Sequence, residues 1–435
     1  MNAGWVEMEY NDLRENDRNR LNNDDSVIFV LYLIVVLWHY FFSSSMSLRF
    51  NANYFWPAIA VIGCLFFWRK IVAIKFSFYD FFIIISVMAM LATCLYSINE
   101  IGSVKYVISI TIYYIVARTV SSYTRYHDLL INLMFCFCLL LCIITYIQMI
   151  FPSLYFKLFI GFLPGIYHDR IIAFMLQRAF TGFANDTSTN AFFMALGAGI
   201  TWYKLMGKTK YRFAYGLLLM IFIIAELNTQ RRGTTIVVIF LILLLYIGSK
   251  KHKVFAFIRY LSIAALLIYI GSFFIPAFQG IFEKFIFYSN AGDISNGRFF
   301  LWQQAFRAIA KQPLLGYGID TYNNVFRATS AHNSYIQVFF EMGIFGVVLY
   351  FTPYIYILMK SVKYVYNKSI IFSIPIKERN LLNLSFFVQM LIVLSALFEG
   401  IFQSELSLFM LFIFQFIFLD IYQRNKQAIT ESDKL

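Results

Sequence analysis

Three small groups of residues have the types and placement to do chemistry. Arg231 and Arg232 lie in a short polar turn, Asn228-Thr229-Gln230-Arg231-Arg232-Gly233, just before an apolar segment opening with Thr234-Thr235. If that segment is a helix, its N-terminus already carries about half a positive charge, so two arginines there call for an anion, and a guanidinium fork grips phosphate at two points. Snorkelling of both side chains to lipid head groups is the alternative. Arg298 follows Ser295-Asn296-Gly297, and Arg298, Trp302, Ala305 and Ile309, with Phe306 beside them, recur at helical spacing up to Gln312-Pro313. That pattern describes an amphipathic helix on a membrane surface. It would hold Arg298 at the depth of a lipid-linked diphosphate, or leave it an ordinary interfacial arginine. His332 stands where the next apolar segment begins. A neutral imidazole there is placed to take a proton from a hydroxyl, or it is a satisfied structural histidine. Chemistry requires these groups to converge. Glu341 sits roughly 13 Å along the same helix and out of phase with His332, which makes it a buried packing or pairing residue. Gly343 and Gly346 are read as places where another helix packs closely.

The elements that must position these groups are apolar. Of 435 residues, 60% are hydrophobic and 14% charged, with mean hydropathy +0.68. A water-soluble core cannot absorb that much apolar surface, so the fold class is all-α integral membrane, with about 12 transmembrane helices of about 20 residues each. A polar tail (1–25) precedes nine helices within 26–277, which include an outer loop at about 152–187. A large extracytoplasmic loop with amphipathic helices (278–331) follows, then three helices within 332–422 and a second tail (423–435). The spans fall near 26–42, 55–68, 77–97, 106–122, 129–151, 188–205, 213–227, 234–248, 260–277, 332–358, 381–398 and 406–422. With both termini cytoplasmic, 24 of the 36 Lys and Arg fall on the inner side, in keeping with the positive-inside bias. The net charge of +13 is therefore about membrane topology, not nucleic acid. All five cysteines lie in apolar runs, which excludes a disulfide framework or CxxC metal site. No DxD-type metal motif, nucleotide loop or carboxylate pair occurs in the outer segments, so the expected reaction uses no metal and no cofactor. The outer position of the distinctive residues argues against a flippase or other transporter, which would place charges near the bilayer midplane. A non-catalytic scaffold is the third reading.

His332-Asn333, nine residues, Gly343, two residues, Gly346 resembles a signature of the bacterial O-antigen ligase and polymerase family. Arg298-x3-Trp302, the Pro313 to Gly316-Tyr317-Gly318 turn and Arg232-Gly233 resemble the same family's other marks. The resemblance spans about residues 178–350. It implies a glycosyltransferase C-like enzyme of the bacterial cytoplasmic (inner) membrane, performing metal-independent, inverting transfer of a glycan from undecaprenyl diphosphate. The acceptor would be another lipid-linked repeat unit in a polymerase, the favoured reading, or lipid A-core in a ligase. A chain-length regulator would be a further partner. Carried over by position, Arg232 and Arg298 hold the diphosphate and His332 is the catalytic base. Arg178, Arg231, Asn333 and Tyr335 are expected to contact substrate. Arg178 with Gly182-Phe183 matches a family region whose usual Pro-Asn is replaced around Asn185-Asp186, and Arg231 has no clear counterpart.

Overall fold

Long apolar runs satisfy their own backbone hydrogen bonds by becoming helices, and every regular element among the described residues is helical. The computed structural model describes residues 23–42, 52–73, 76–207, 209–248, 295, 297–327, 330–367 and 374–425, with single positions 259 and 262. In chain order the helices are α1 (Asn23–Phe42), α2 (Ala52–Ala73), α3 (Phe78–Cys94), α4 (Glu100–Ser121), α5 (His127–Ile150), α6 (Pro152–Leu158), α7 (His168–Leu176) and α8 (Thr187–Met206). They continue as α9 (Arg212–Leu227), α10 (Arg232–Gly248), α11 (Arg298–Ile309), α12 (Tyr322–Phe326), α13 (Ser334–Tyr366), α14 (Ile376–Ser395) and α15 (Glu405–Arg424).

Four stretches are long and apolar enough to cross a membrane: 100–121, 124–150, 334–366 and 407–424. With the shorter apolar helices at 27–42, 55–67, 78–94 and 232–246, they mark a membrane protein. Helices of sixteen residues or more stand at eleven of the twelve expected spans. The span expected at 260–277, the first part of the catalytic loop expected from 278, and both tails lie largely outside the described residues.

A helix that is apolar on every side belongs inside a bundle. The run Leu408–Phe414 of α15 is buried throughout, as is Asn190–Ile200 of α8. α15 packs on α4 and α14, whereas α8 packs on α5, α9, α10 and α14. α13 lies against α3 and α14 and carries α11 on its first turns. At the end of α15 away from Glu405, Arg424 bridges Asp420 (2.7 Å) and Glu378 (2.8 Å), and Arg118 pairs with Asp80.

α13 is interrupted. Gly343 has φ 62° and ψ −173°, a region open essentially only to glycine. The loop Pro313–Gly318 fills the break. Phe340 O accepts from the Tyr317 N–H (3.1 Å), Glu341 O accepts from the Gly318 N–H (2.7 Å), and the Ile344 N–H donates to Pro313 O (2.9 Å). The groups freed by the kink are thus re-paired. A Cβ at Gly343 would stand 2.3 Å from Leu314 O, and one at Gly316 would stand 2.6 Å from the Gly343 nitrogen. Gly343 was expected to admit a neighbouring helix; it admits a loop backbone instead. Glu341 is buried as expected, accepting from Gln337 Nε2 (3.0 Å) and the Tyr322 N–H (3.4 Å).

Gly343→Ala is expected to destabilise by about 3 kcal/mol or more, combining backbone strain with a clash against backbone atoms. Gly297 also has positive φ (80°) but open space around its missing Cβ, so Gly297→Ala should lose only the strain component. Thermal unfolding of the two detergent-solubilised variants measures the difference, and equal losses would refute the docking role of the break.

Candidate active site

Each functional side chain is delivered by a short local device. His332 adopts φ 50°, a left-handed conformation that non-glycine residues rarely take, and so turns the chain into α13. Asn333 caps that helix, its Oδ1 accepting from the N–H groups of Tyr335 (3.0 Å) and Ile336 (3.1 Å). Asn333 Nδ2 donates to Leu397 O (3.2 Å), and Ser334 Oγ donates to Glu399 O (3.0 Å) while accepting from the Phe402 N–H (3.0 Å). The His-Asn-Ser run therefore clamps the turn between α14 and α15, which carries Glu399. On the other side Gly233 lies so close to Phe398 that a Cβ would stand 2.9 Å from its Cβ, bringing Arg231 and Arg232 to the same turn. α11 begins at Arg298, with Ser295 Oγ accepting from the Phe299 N–H (3.0 Å). The Trp302 indole N–H donates to Ala331 O (2.8 Å), fixing α11 beside His332.

The result is a cluster around one carboxylate. Glu399 Oε1 is 3.1 Å from Arg231 Nη1 and 3.8 Å from Arg298 Nη2, and Oε2 is 3.6 Å from His332 Nδ1 and 3.5 Å from Ser188 Oγ. Arg231 Nε also donates to Thr187 Oγ1 (2.8 Å) at the start of α8. Glu399 is 12% exposed, Arg298 28% and His332 34%, so the site is recessed yet open to a ligand. Burial alone would raise the pKa of Glu399. Its contact with His332 and the charges of Arg231 and Arg298 outweigh that, and hold it below the ordinary carboxylate value. The Arg298 pKa is lowered as well: burial lowers it, Glu399 opposes this, and Arg231 and Arg232 add to the lowering. Two guanidinium groups thus share one carboxylate with the charge of Arg232 nearby, and a bound anion would relieve their mutual repulsion.

The structure brings Arg231, Arg298 and His332 together, with Arg232 within electrostatic reach of Arg298. Of the adjacent arginines, Arg231 makes the direct contact with Glu399. Asn333 and Tyr335, expected to meet substrate, spend their polar groups on the scaffold; the Tyr335 hydroxyl donates to Val393 O (2.7 Å). Arg178 is exposed, with φ 55°, and its carbonyl accepts from Gln230 Nε2 (3.1 Å), which ties the preceding loop to the arginine turn. Ala305 and Ile309 of the stripe expected to lie on the membrane surface pack on Phe340 of α13 instead. Glu399, Thr187 and Ser188 were not singled out from sequence. The available signal for Glu399 was a lone carboxylate between apolar residues, Phe398-Glu399-Gly400-Ile401, in a turn joining two spans. Among the described residues no group of three or more His, Cys, Asp or Glu could hold a metal ion.

Comparison with known proteins gives two results. No curated protein matches the chain. Residues 215–351 match the family model described as O-antigen ligase, a stretch that contains Arg231, Arg232, Arg298 and His332 and stops short of Glu399. With those residues gathered at one site and the match running across them, the chain is similar over residues 215–351 to the O-antigen ligase family.

Proposed function

We propose that this protein transfers a glycan from undecaprenyl diphosphate to an acceptor hydroxyl at the outer face of the cytoplasmic membrane, acting as a surface polysaccharide polymerase. The family implies glycan transfer between a lipid-linked donor and an acceptor. The observation that carries the finer reading is the sharing of Glu399 by Arg231, Arg298 and His332. In this reading twelve spans cross the membrane, both termini are cytoplasmic, and the cluster opens outward.

Arg298 and Arg231, with Arg232 behind them, hold the donor diphosphate and stabilise the charge that grows on it as it leaves. His332 takes the proton of the acceptor hydroxyl. The acceptor oxygen forms a bond to the anomeric carbon from the face opposite the diphosphate. The carbon–oxygen bond to phosphate breaks with its electron pair on the diphosphate, and the configuration inverts. Glu399 orients the imidazole through Nδ1, leaving Nε2 for the acceptor, and stabilises the imidazolium that forms. Arg178, exposed beyond the arginine turn, is placed to meet the more distant part of the glycan. The step needs no metal, because the donor is already activated and the guanidinium groups supply the positive charge.

Reconstitution with a defined undecaprenyl-diphosphate-linked repeat unit tests this. Products of several repeats are expected from that substrate alone. Product only after adding lipid A-core would make the protein a ligase, and no glycosidic product with either acceptor would overturn the transfer reading. His332→Ala should lose at least about a hundredfold in rate, and an unchanged rate rejects the base role. EDTA should leave the rate intact; a loss restored by magnesium rejects metal independence.

A further inference from the structure

α11 presents two exposed flanks of different chemistry. Phe299 and Phe306 are 63% and 51% exposed along one side. At 100° per residue, Gln304, Arg307 and Lys311 fall on the other side, with Phe300 at the Arg298 end as their one apolar neighbour. This second flank forms one wall of an open groove whose other wall is Tyr317, Phe326 and Arg327. Both walls are braced on Phe340 of α13. Tyr317 stacks on its ring (4.7 Å between centroids, 12° between planes), Phe326 packs on it at 5.1 Å, and the Tyr317 hydroxyl donates to Ala308 O (3.0 Å).

Arg307, Lys311 and Arg327 are all exposed, and among the described residues none is ion-paired. Three unpaired cations facing one another across a groove create a positive field, and the two aromatic side chains give it apolar surface. Arg307 lies nine residues from Arg298 on one rigid helix, roughly 13 Å along its axis at the helical rise, so groove and cluster are held at a fixed spacing. The aromatic flank is the side of α11 suited to lipid, which leaves the cationic flank facing water.

We infer that this groove is a docking site for an acidic saccharide: a segment of growing or acceptor glycan bearing carboxylate or phosphate groups, held one helix length from the bond being made. The inference rests on the transfer reading and narrows its substrate class to anionic glycans. Guanidinium and ammonium groups would bind the acidic substituents, while the flat faces of Tyr317 and Phe326 would meet the apolar faces of the sugar rings. Anionic lipid head groups are the competing occupant that the groove's aspect argues against.

The test is a binding measurement on the full-length chain in detergent, with a short oligogalacturonate as probe and a dextran oligosaccharide of equal length as neutral control. Oligogalacturonate should bind and weaken as salt rises, whereas dextran should not bind measurably. Arg307→Gln/Lys311→Gln/Arg327→Asn should lower oligogalacturonate affinity by about tenfold or more with unchanged melting temperature; asparagine tolerates the left-handed conformation found at Arg327 (φ 51°). His332→Ala should bind the probe like the parent. Equal affinity in the triple variant, equal binding of dextran, or displacement of the probe by phosphatidylglycerol in the micelle as effective as by free saccharide would each overturn the proposal. The readout needs no turnover. Failed binding with intact polymer formation removes only the groove, whereas retained binding with polymer formation that survives loss of His332 and Arg298 removes the catalytic reading and leaves the groove.

Discussion

Arg298→Ala is expected to abolish detectable polymer while leaving the protein folded in the membrane. Loss of one charge-assisted clamp on a diphosphate costs roughly 2 to 4 kcal/mol of transition-state stabilisation, a rate loss of roughly thirtyfold to a thousandfold. The side chain is recessed and its charge is already strained by burial and by Arg231 and Arg232. Its removal therefore relieves repulsion in the empty site, and the damage should appear only with donor present: a raised donor KM together with a lowered kcat. Arg231→Ala should act in the same direction and also loosen Thr187 at the start of α8. Polymer made at the parent rate by Arg298→Ala would sink the diphosphate clamp.

Glu399→Gln should separate the two halves of the cluster. The amide keeps the shape but loses the charge facing Arg231, Arg298 and His332. We expect kcat to fall by about a hundredfold as the imidazole loses its orienting partner, with donor KM unchanged or lower because an internal competitor for the arginines has gone. A raised KM with kcat intact would make Glu399 a structural tie only. The carboxylate also ties stability to pH. Because its folded pKa lies below the ordinary carboxylate value, its contribution is fully present above that range and is lost as pH falls through the depressed value. The acid limb of the parent's thermal stability should flatten in Glu399→Gln. At neutral pH the variant should be less stable by about 2 kcal/mol, short of the cost for a fully buried pair because the arginines keep some water.

Much of the frame was legible because it follows from composition. Runs such as Val27–Phe42 and Leu129–Ile150 have no other way to satisfy their backbone, and Arg298–Ile309 announces itself by its spacing. The cluster was legible in part, since arginines against the topological bias and a histidine at a helix mouth are locally costly choices. The three-dimensional contacts were not. Whether Arg231 or Arg232 reaches the centre depends on Gln230 turning with φ 58° and on Gly233 docking at Phe398. Glu399 lies 67 positions beyond His332 and joins it through the backbone held by Asn333 and Ser334, which no local pattern encodes. The break at Gly343 is invisible because apolar residues continue at helical spacing on both sides; only the loop from Pro313 reveals that the helix stops.

That break has a mechanical consequence. The segment Ser334–Met342 is hydrogen-bonded on its far side to Tyr317 and Gly318, and the strand of chain at Pro313 holds Ile344 in turn. The tip that bears His332 is thus anchored to the headpiece around α11, and the same loop staples it across Gly343 to the rod from Ile344 to Tyr366. A tilt of the rod about Gly343 would have to break the bonds from Ile344 and Phe345 to Pro313 and Leu314, so the joint is braced and the imidazole keeps its place relative to the rod.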